Sequence, residues 1–226
     1  MSYVKRLLAV GAFCTAAALA TQSQATTYYL TASDNFGTGS YGSVNVTGSG
    51  ADTLKYVVTL APNFNFVDTG SHEAFAFSLK GNPTISIASA HPLPSGLSLV
   101  TNLDSVADAP FGKFDYAITC PSTCAPSNPG YTGGATPSSL TFYVTAPGLT
   151  DSWVDVATKQ YGDHDIYFAA DLIKTKNCSS HCTGAVGAFM YSNAVPEPAT
   201  WAMMITGVFG VGFALRRRRA LQPAAA

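Results

Sequence analysis

Five cysteines, four histidines and a few closely spaced aspartates are the residues of this 226-residue chain best placed to carry chemistry. Cys120-Pro-Ser-Thr-Cys124 and Cys178-Ser-Ser-His181-Cys182 repeat one Cys-x3-Cys spacing. Such pairs suit local disulfides in an oxidising compartment, or thiolate ligation of zinc with His181 as a further ligand. Structural zinc more often uses Cys-x2-Cys, so disulfides Cys120–Cys124 and Cys178–Cys182 are the expectation, with the two other connectivities open. Asp163-His164-Asp165, with Asp151 and Asp155, offers oxygen ligands to calcium. The order lacks a calcium loop's central glycine and closing glutamate, so a solvated loop without metal is expected. Gly37-Thr-Gly39-Ser-Tyr-Gly42 has the letters of a dinucleotide fingerprint, but Ser43–Thr47 continues as strand, and the stretch reads as a glycine-rich turn. There is no Gly-x-Ser-x-Gly, and Glu73 is the only glutamate between residues 26 and 195, which leaves no glutamate pair for glycoside hydrolysis. No cofactor and no enzymatic activity are expected.

The elements that must position these residues read as strands. Runs rich in Thr, Val, Tyr, Phe and Ile lie at Tyr28–Thr31, Ser43–Thr47, Leu54–Leu60, Glu73–Leu79, Thr84–Ala88, Phe114–Thr119, Leu140–Thr145, Ile166–Leu172 and Val186–Tyr191. In Leu54–Leu60 and Leu140–Thr145 the even-numbered residues are mostly apolar, the period-2 pattern of a strand with one face in a core. Ala61-Pro62-Asn63, Gly81-Asn82-Pro83, Asp108-Ala109-Pro110 and Pro147-Gly148 supply turn chemistry. Ser152–Tyr161 has room for a short turn, and Asn102–Pro137 reads as a long surface loop or decorated hairpin. The expectation is an all-β domain, residues 26–195, folded as a two-sheet antiparallel sandwich of jelly-roll or Ig-like type.

The formal charge of −1 hides two basic ends around an acidic body. Residues 26–195 hold six lysines, no arginine and twelve acids, a balance that excludes a nucleic-acid partner. At the N-terminus, Lys5 and Arg6 precede the apolar run Leu7–Leu19 and the small-x-small site Ser23-Gln24-Ala25. This is the layout of a secretory signal peptide, residues 1–25, with the cut between Ala25 and Thr26; cleavage after Ala20 also fits. The secretion translocon is the implied partner. At the C-terminus, Ala199–Leu215 has no charge and is followed by Arg216, Arg217, Arg218 and Arg219. A helix over these seventeen residues spans roughly 26 Å, the short limit for a bilayer core, with the arginines on the cytoplasmic side. Residues 221–226 read as a disordered tail.

Pro196-Glu197-Pro198-Ala199-Thr200-Trp201-Ala202-Met203-Met204, then a Gly-spaced apolar helix and Arg216–Arg219, closely resembles the PEP-CTERM sorting signal over residues 196–220. The resemblance implies that an exosortase, a polytopic membrane transpeptidase, recognises Pro196-Glu197-Pro198 and processes the chain near it, with Trp201 part of the signal. It also implies a Gram-negative, exopolysaccharide-producing cell, with an inner-membrane intermediate before release to the surface or matrix. The same C-terminal element is also known as an ice-binding-protein C-terminal domain. Asp165–Asp171 and Thr183–Gly187 resemble, more weakly, the last strands of other PEP-CTERM proteins. The function expected is therefore a structural or exopolysaccharide-associated surface protein. A carbohydrate- or ice-binding module, marked by a flat aromatic or Thr-rich strand face, and a secreted hydrolase are the alternatives. N-terminal sequencing of the exported protein is predicted to begin at Thr26, and a chain still starting at Met1 contradicts the signal reading.

Overall fold

A computed structural model describes residues 25–69, 72–120, 137–176, 178, 182–190 and 208–209. The strands are β1 (Ala25–Ser33), β2 (Gly42–Gly48), β3 (Thr53–Leu60), β4 (Phe64–Phe66), β5 (Phe75–Leu79), β6 (Ser86–Ile87), β7 (Ser98–Ala107), β8 (Lys113–Thr119), β9 (Ser139–Thr145), β10 (Val154–Asp155), β11 (Phe168–Lys174) and β12 (Thr183–Phe189), with one 3-10 turn at Asp151–Trp153. Every strand expected from the sequence is present, with shifted ends, and β4, β7 and β10 are additional. Part of the segment expected as a long loop is instead strand, since β7 reaches Ala107 and pairs with β8; residues 121–136 lie outside the described residues.

All pairings are antiparallel, and the hydrogen-bonded order is β6-β9-β3-β2-β1-β12-β11-β5-β8-β7, with β4 beside β11 and β10 beside β5. The expected two sheets are thus one continuous sheet, and it is rolled. Tyr56 on β3 and Phe77 on β5 stand five strand steps apart along that order, about 24 Å in a flat sheet at the usual strand spacing. Their ring centroids are 5.2 Å apart. Tyr56 also stacks on Phe142 of β9 at 4.7 Å, and Phe75 of β5 meets the same Phe142 edge-on at 5.8 Å. The wall β1-β2-β3-β9 therefore faces the wall β12-β11-β5-β8 across an aromatic layer. The even positions of β3 and β9, Leu54, Tyr56, Val58, Leu140, Phe142 and Val144, are all buried in it, as their alternation requires.

The second wall is buried on its outer face too. Ala117 of β8, Ala76 of β5, Ala169 of β11, Gly187 of β12 and Ala32 of β1 are register partners in one row across five strands. A break in register between Leu30 and Ala32 turns Ala32 to this outer side, whereas Tyr28 and Leu30 face the inner core. Phe111 and Ile166, from the connections before β8 and before β11, lie over the row. A Cβ at Gly187 would come 2.9 Å from the Phe111 ring and 3.1 Å from Ile166. Small residues in this row are what allow the chain to cover its own sheet.

The chain divides into two compact units, Met1–Tyr191 and Ser192–Ala226. Of the second unit only Val208 and Phe209 are described, and both are helical. No helix among the described residues is long and apolar enough to cross a membrane; the rest of the span expected at 199–215, and the signal segment before Ala25, lie outside them.

The Tyr56 hydroxyl is buried with no hydrogen-bond partner. Replacing Tyr56 by Phe is predicted to raise stability by about 1 kcal/mol, and Phe142→Ala to lower it by about 3–5 kcal/mol. Both are read by denaturant unfolding with the disulfides intact; a loss on Tyr56→Phe contradicts the description of this core.

Candidate functional site

Three surfaces of the β unit bring polar side chains together. The first is a cleft of about 500 Å3 lined by Thr26, Tyr28, Lys80, Asp151, Ser152, Asp155, Tyr167 and Met190. The 3-10 turn supplies Asp151 and Ser152, β10 supplies Asp155, and Tyr28 of β1 packs at 5.0 Å against Tyr167. Burial, with Tyr167 and Asp151 nearby, pushes the Tyr28 phenol up. Ser152 Oγ shares a 2.8 Å hydrogen bond with Thr150. The cleft thus offers two carboxylates, an ammonium and phenols.

The second is a set of acids on the outer side of the second wall. Asp171, in the middle of β11, is fully buried; Thr69 Oγ1 donates to its Oδ2 at 2.6 Å, His72 Nδ1 lies 4.0 Å away, and its Oδ1 has no partner. Asp108 sits in the turn before β8, where its amide donates to the Gly112 carbonyl at 2.9 Å and its carbonyl accepts from Phe111 at 2.7 Å. Both of its carboxylate oxygens are buried without a partner. Burial first, then the neighbouring Asp171, Asp34 and Glu73, pushes the Asp108 carboxyl well up. Burial likewise raises Asp171 to about 7, helped by Asp34 and Asp68 and opposed by the Thr69 hydrogen bonds. A buried carboxyl that lacks a cation is held as the neutral acid. The signal in the sequence was Asp171 itself, an acid inside the apolar run Ile166–Leu172.

The third is the outer face of the first wall. The odd positions of β3 and β9 point outward and fall into register with β2 and β1. One row reads Ser139, Thr59, Ser43, Tyr29, the next Thr141, Val57, Asn45, Thr27, and the third Tyr143, Lys55, Thr47, Ala25. Asn45 Nδ2 donates to Thr27 Oγ1 at 3.1 Å across the strands, and Thr47 Oγ1 to Asn45 Oδ1 at 3.4 Å. Lys55 Nζ lies 5.7 Å over the Tyr143 ring, whose face His91 stacks on at 4.1 Å.

The cysteines behave as cross-links. Cys178 and Cys182 are disulfide-bonded with Cα atoms 5.6 Å apart, and close the turn between β11 and β12, where the Lys174 amide donates to the Cys182 carbonyl at 2.8 Å. That bond removes the thiolates a zinc site would need. Cys120, buried at the end of β8, is disulfide-bonded as well; Cys124 lies outside the described residues. Asp151 and Asp155 line the cleft, whereas Asp165 accepts from Gln160 at 2.6 Å beside the Tyr161–His164 bridge. Among the described residues no group of three acids, histidines or cysteines is arranged to hold a metal ion. Gly37 has a positive φ, and β2 begins at Gly42 and runs on through Ser43–Thr47, as the glycine-rich-turn reading requires.

Residues 194–219 match the family model of the PEP-CTERM protein-sorting motif. The chain carries a PEP-CTERM sorting signal. The motif directs exosortase-dependent sorting of an exported, cell-surface protein, and exosortase is its processing partner. Pro196, Glu197, Pro198, Trp201 and Arg216–Arg219 fall within the matched range, all outside the described residues. No curated protein and no solved structure matches the chain.

The raised acids fix the sign of the pH dependence. Folded Asp171 keeps its proton up to about pH 7, whereas an unfolded aspartate releases it near pH 4. The folded state therefore binds more protons across that window, and stability falls, by a few kcal/mol, as pH rises through it. Thermal unfolding is predicted to show a higher Tm at about pH 5 than at about pH 8, with Asp171→Asn flattening the difference. A Tm that rises toward pH 8 contradicts the neutral-acid state.

Proposed function

We propose that the chain is a non-enzymatic structural component of the cell surface or extracellular matrix, associated with exopolysaccharide. In this reading the translocon exports residues 26–195, the apolar segment 199–215 holds an inner-membrane intermediate of a Gram-negative cell, and exosortase releases the product. The observation that carries it is the sorting motif at residues 194–219, placed directly after an all-β unit. The disulfide Cys178–Cys182 adds support, since such cross-links persist in oxidising exteriors. We read the rolled sheet as a sandwich of jelly-roll or Ig-like kind, on the strength of the aromatic layer between its walls.

Replacing Pro196-Glu197-Pro198 by three alanines is predicted to leave an unprocessed, membrane-retained chain, seen as a heavier band in the membrane fraction and a depleted surface fraction. Unchanged processing and surface display overturn the sorting role.

A further inference from the structure

The outer side of the sheet is divided. Over β12, β11, β5 and β8 it is lined by alanine and glycine and covered by the chain's own Phe111 and Ile166. Over β9, β3, β2 and β1 it is hydroxyl-rich, and Thr59, Thr141 and Ser139 are exposed. Twelve acids lie between residues 26 and 195, yet none occupies the three rows of this face. Its one cation, Lys55, is drawn over the Tyr143 ring.

We propose that this face is a docking surface for an uncharged polysaccharide chain. The proposal rests on the matrix reading above and names the surface that would serve it. Strands spaced about 4.8 Å apart and alternate residues about 6.7 Å apart hold the hydroxyls in a fixed two-dimensional array. The Asn45–Thr27 and Thr47–Asn45 hydrogen bonds, and the bond between Ser86 and Thr145 at 3.0 Å, fix side-chain rotamers before any ligand arrives, which lowers the ordering cost of binding. Hydroxyls donate and accept, as sugar hydroxyls do, and bury without leaving a charge unpaired. An anionic polymer finds a single ammonium in these rows, that of Lys55. Protein interfaces draw on Trp, Tyr, Phe, Met and Arg anchors; of these the rows hold only Tyr29 and Tyr143, one at each side of the face.

The test uses the processed chain recovered from the surface fraction of a host bearing the exosortase. Its probes are three neutral matrices, microcrystalline cellulose, insoluble starch and a galactomannan gel, with an alginate gel as the anionic control. The chain is predicted to be retained on at least one neutral matrix and not on alginate, with retention unchanged from about 0.05 to about 0.5 M salt. Thr59→Glu with Thr141→Glu is predicted to reduce retention by about ten-fold or more without lowering the Tm by more than a few degrees, because both positions are exposed. The single Thr141→Glu reports the same effect if the double variant folds poorly. The cleft variant Asp155→Lys is predicted to bind as the wild type does. Retention on none of the neutral matrices, retention on alginate, equal binding by the face variants, loss in the cleft variant alone, or thermal hysteresis in ice without retention each overturns the proposal. A wild-type chain that washes out of the host's own matrix sinks the matrix reading. Matrix retention that survives in the face variants sinks the assignment of this surface alone.

Discussion

A single antiparallel sheet has two faces to cover and no helical layer among the described residues to cover them. The aromatic layer solves this for one face. Tyr56, Phe142, Phe75, Phe77 and Phe168 come from strands far apart along the sheet, and they meet only if the sheet rolls. Tyr56 and Phe142 stack nearly parallel, at 3° between ring planes, while Tyr28 meets Phe168 at 83°. Offset and edge-on contacts of this kind add to plain burial and restrict how the walls sit on each other. Everything else described, the covered outer row, the buried acids and the hydroxyl face, depends on which strands this rolling puts inside and outside.

The outer row shows how residue size controls surface exposure. Where the row is Ala117, Ala76, Ala169 and Gly187, connecting segments lie flat on the sheet and take Asp108 into the interior with them. Burial of that carboxyl beside Asp171 stores a charge penalty that is absent while the acids stay protonated. Where the rows are Thr, Ser and Asn, Thr59, Ser139 and Thr141 stay exposed among the described residues. The sorting motif marks an exosortase-sorted, cell-surface protein, and a face with no acid and a single lysine is compatible with that setting.

Much of this was legible in the residues because period-2 alternation reports burial on one side. Leu54–Leu60 and Leu140–Thr145 gave both the strand and the inward positions. Strands buried on both faces were harder to read, since Ile166–Leu172 shows no alternation, and its one acid, Asp171, was the sole mark of a buried carboxyl. β7 was missed because an edge strand carries little apolar pattern, and β4 and β10 because two or three residues carry none. Rolling was invisible in any one strand; it is a property of register, which joins residues as distant as Tyr29 and Phe189. The sorting motif was readable because its order of proline, glutamate, apolar run and arginines is local. The hydroxyl face was foreseen only as the Thr-rich strand face that would mark a carbohydrate- or ice-binding module, without its residues, since four separate strands must align to make a surface of it.

The rolling of the sheet is what sets inside against outside. Nuclear Overhauser contacts between the Tyr56 and Phe77 ring protons, in isotope-labelled exported chain, test it most directly. Rings whose centroids are 5.2 Å apart predict strong cross-peaks, together with peaks from Phe142 to both Tyr56 and Phe75. Cross-peaks confined to neighbouring strands, with none joining β3 or β9 to β5, would mean an open sheet and would contradict the account.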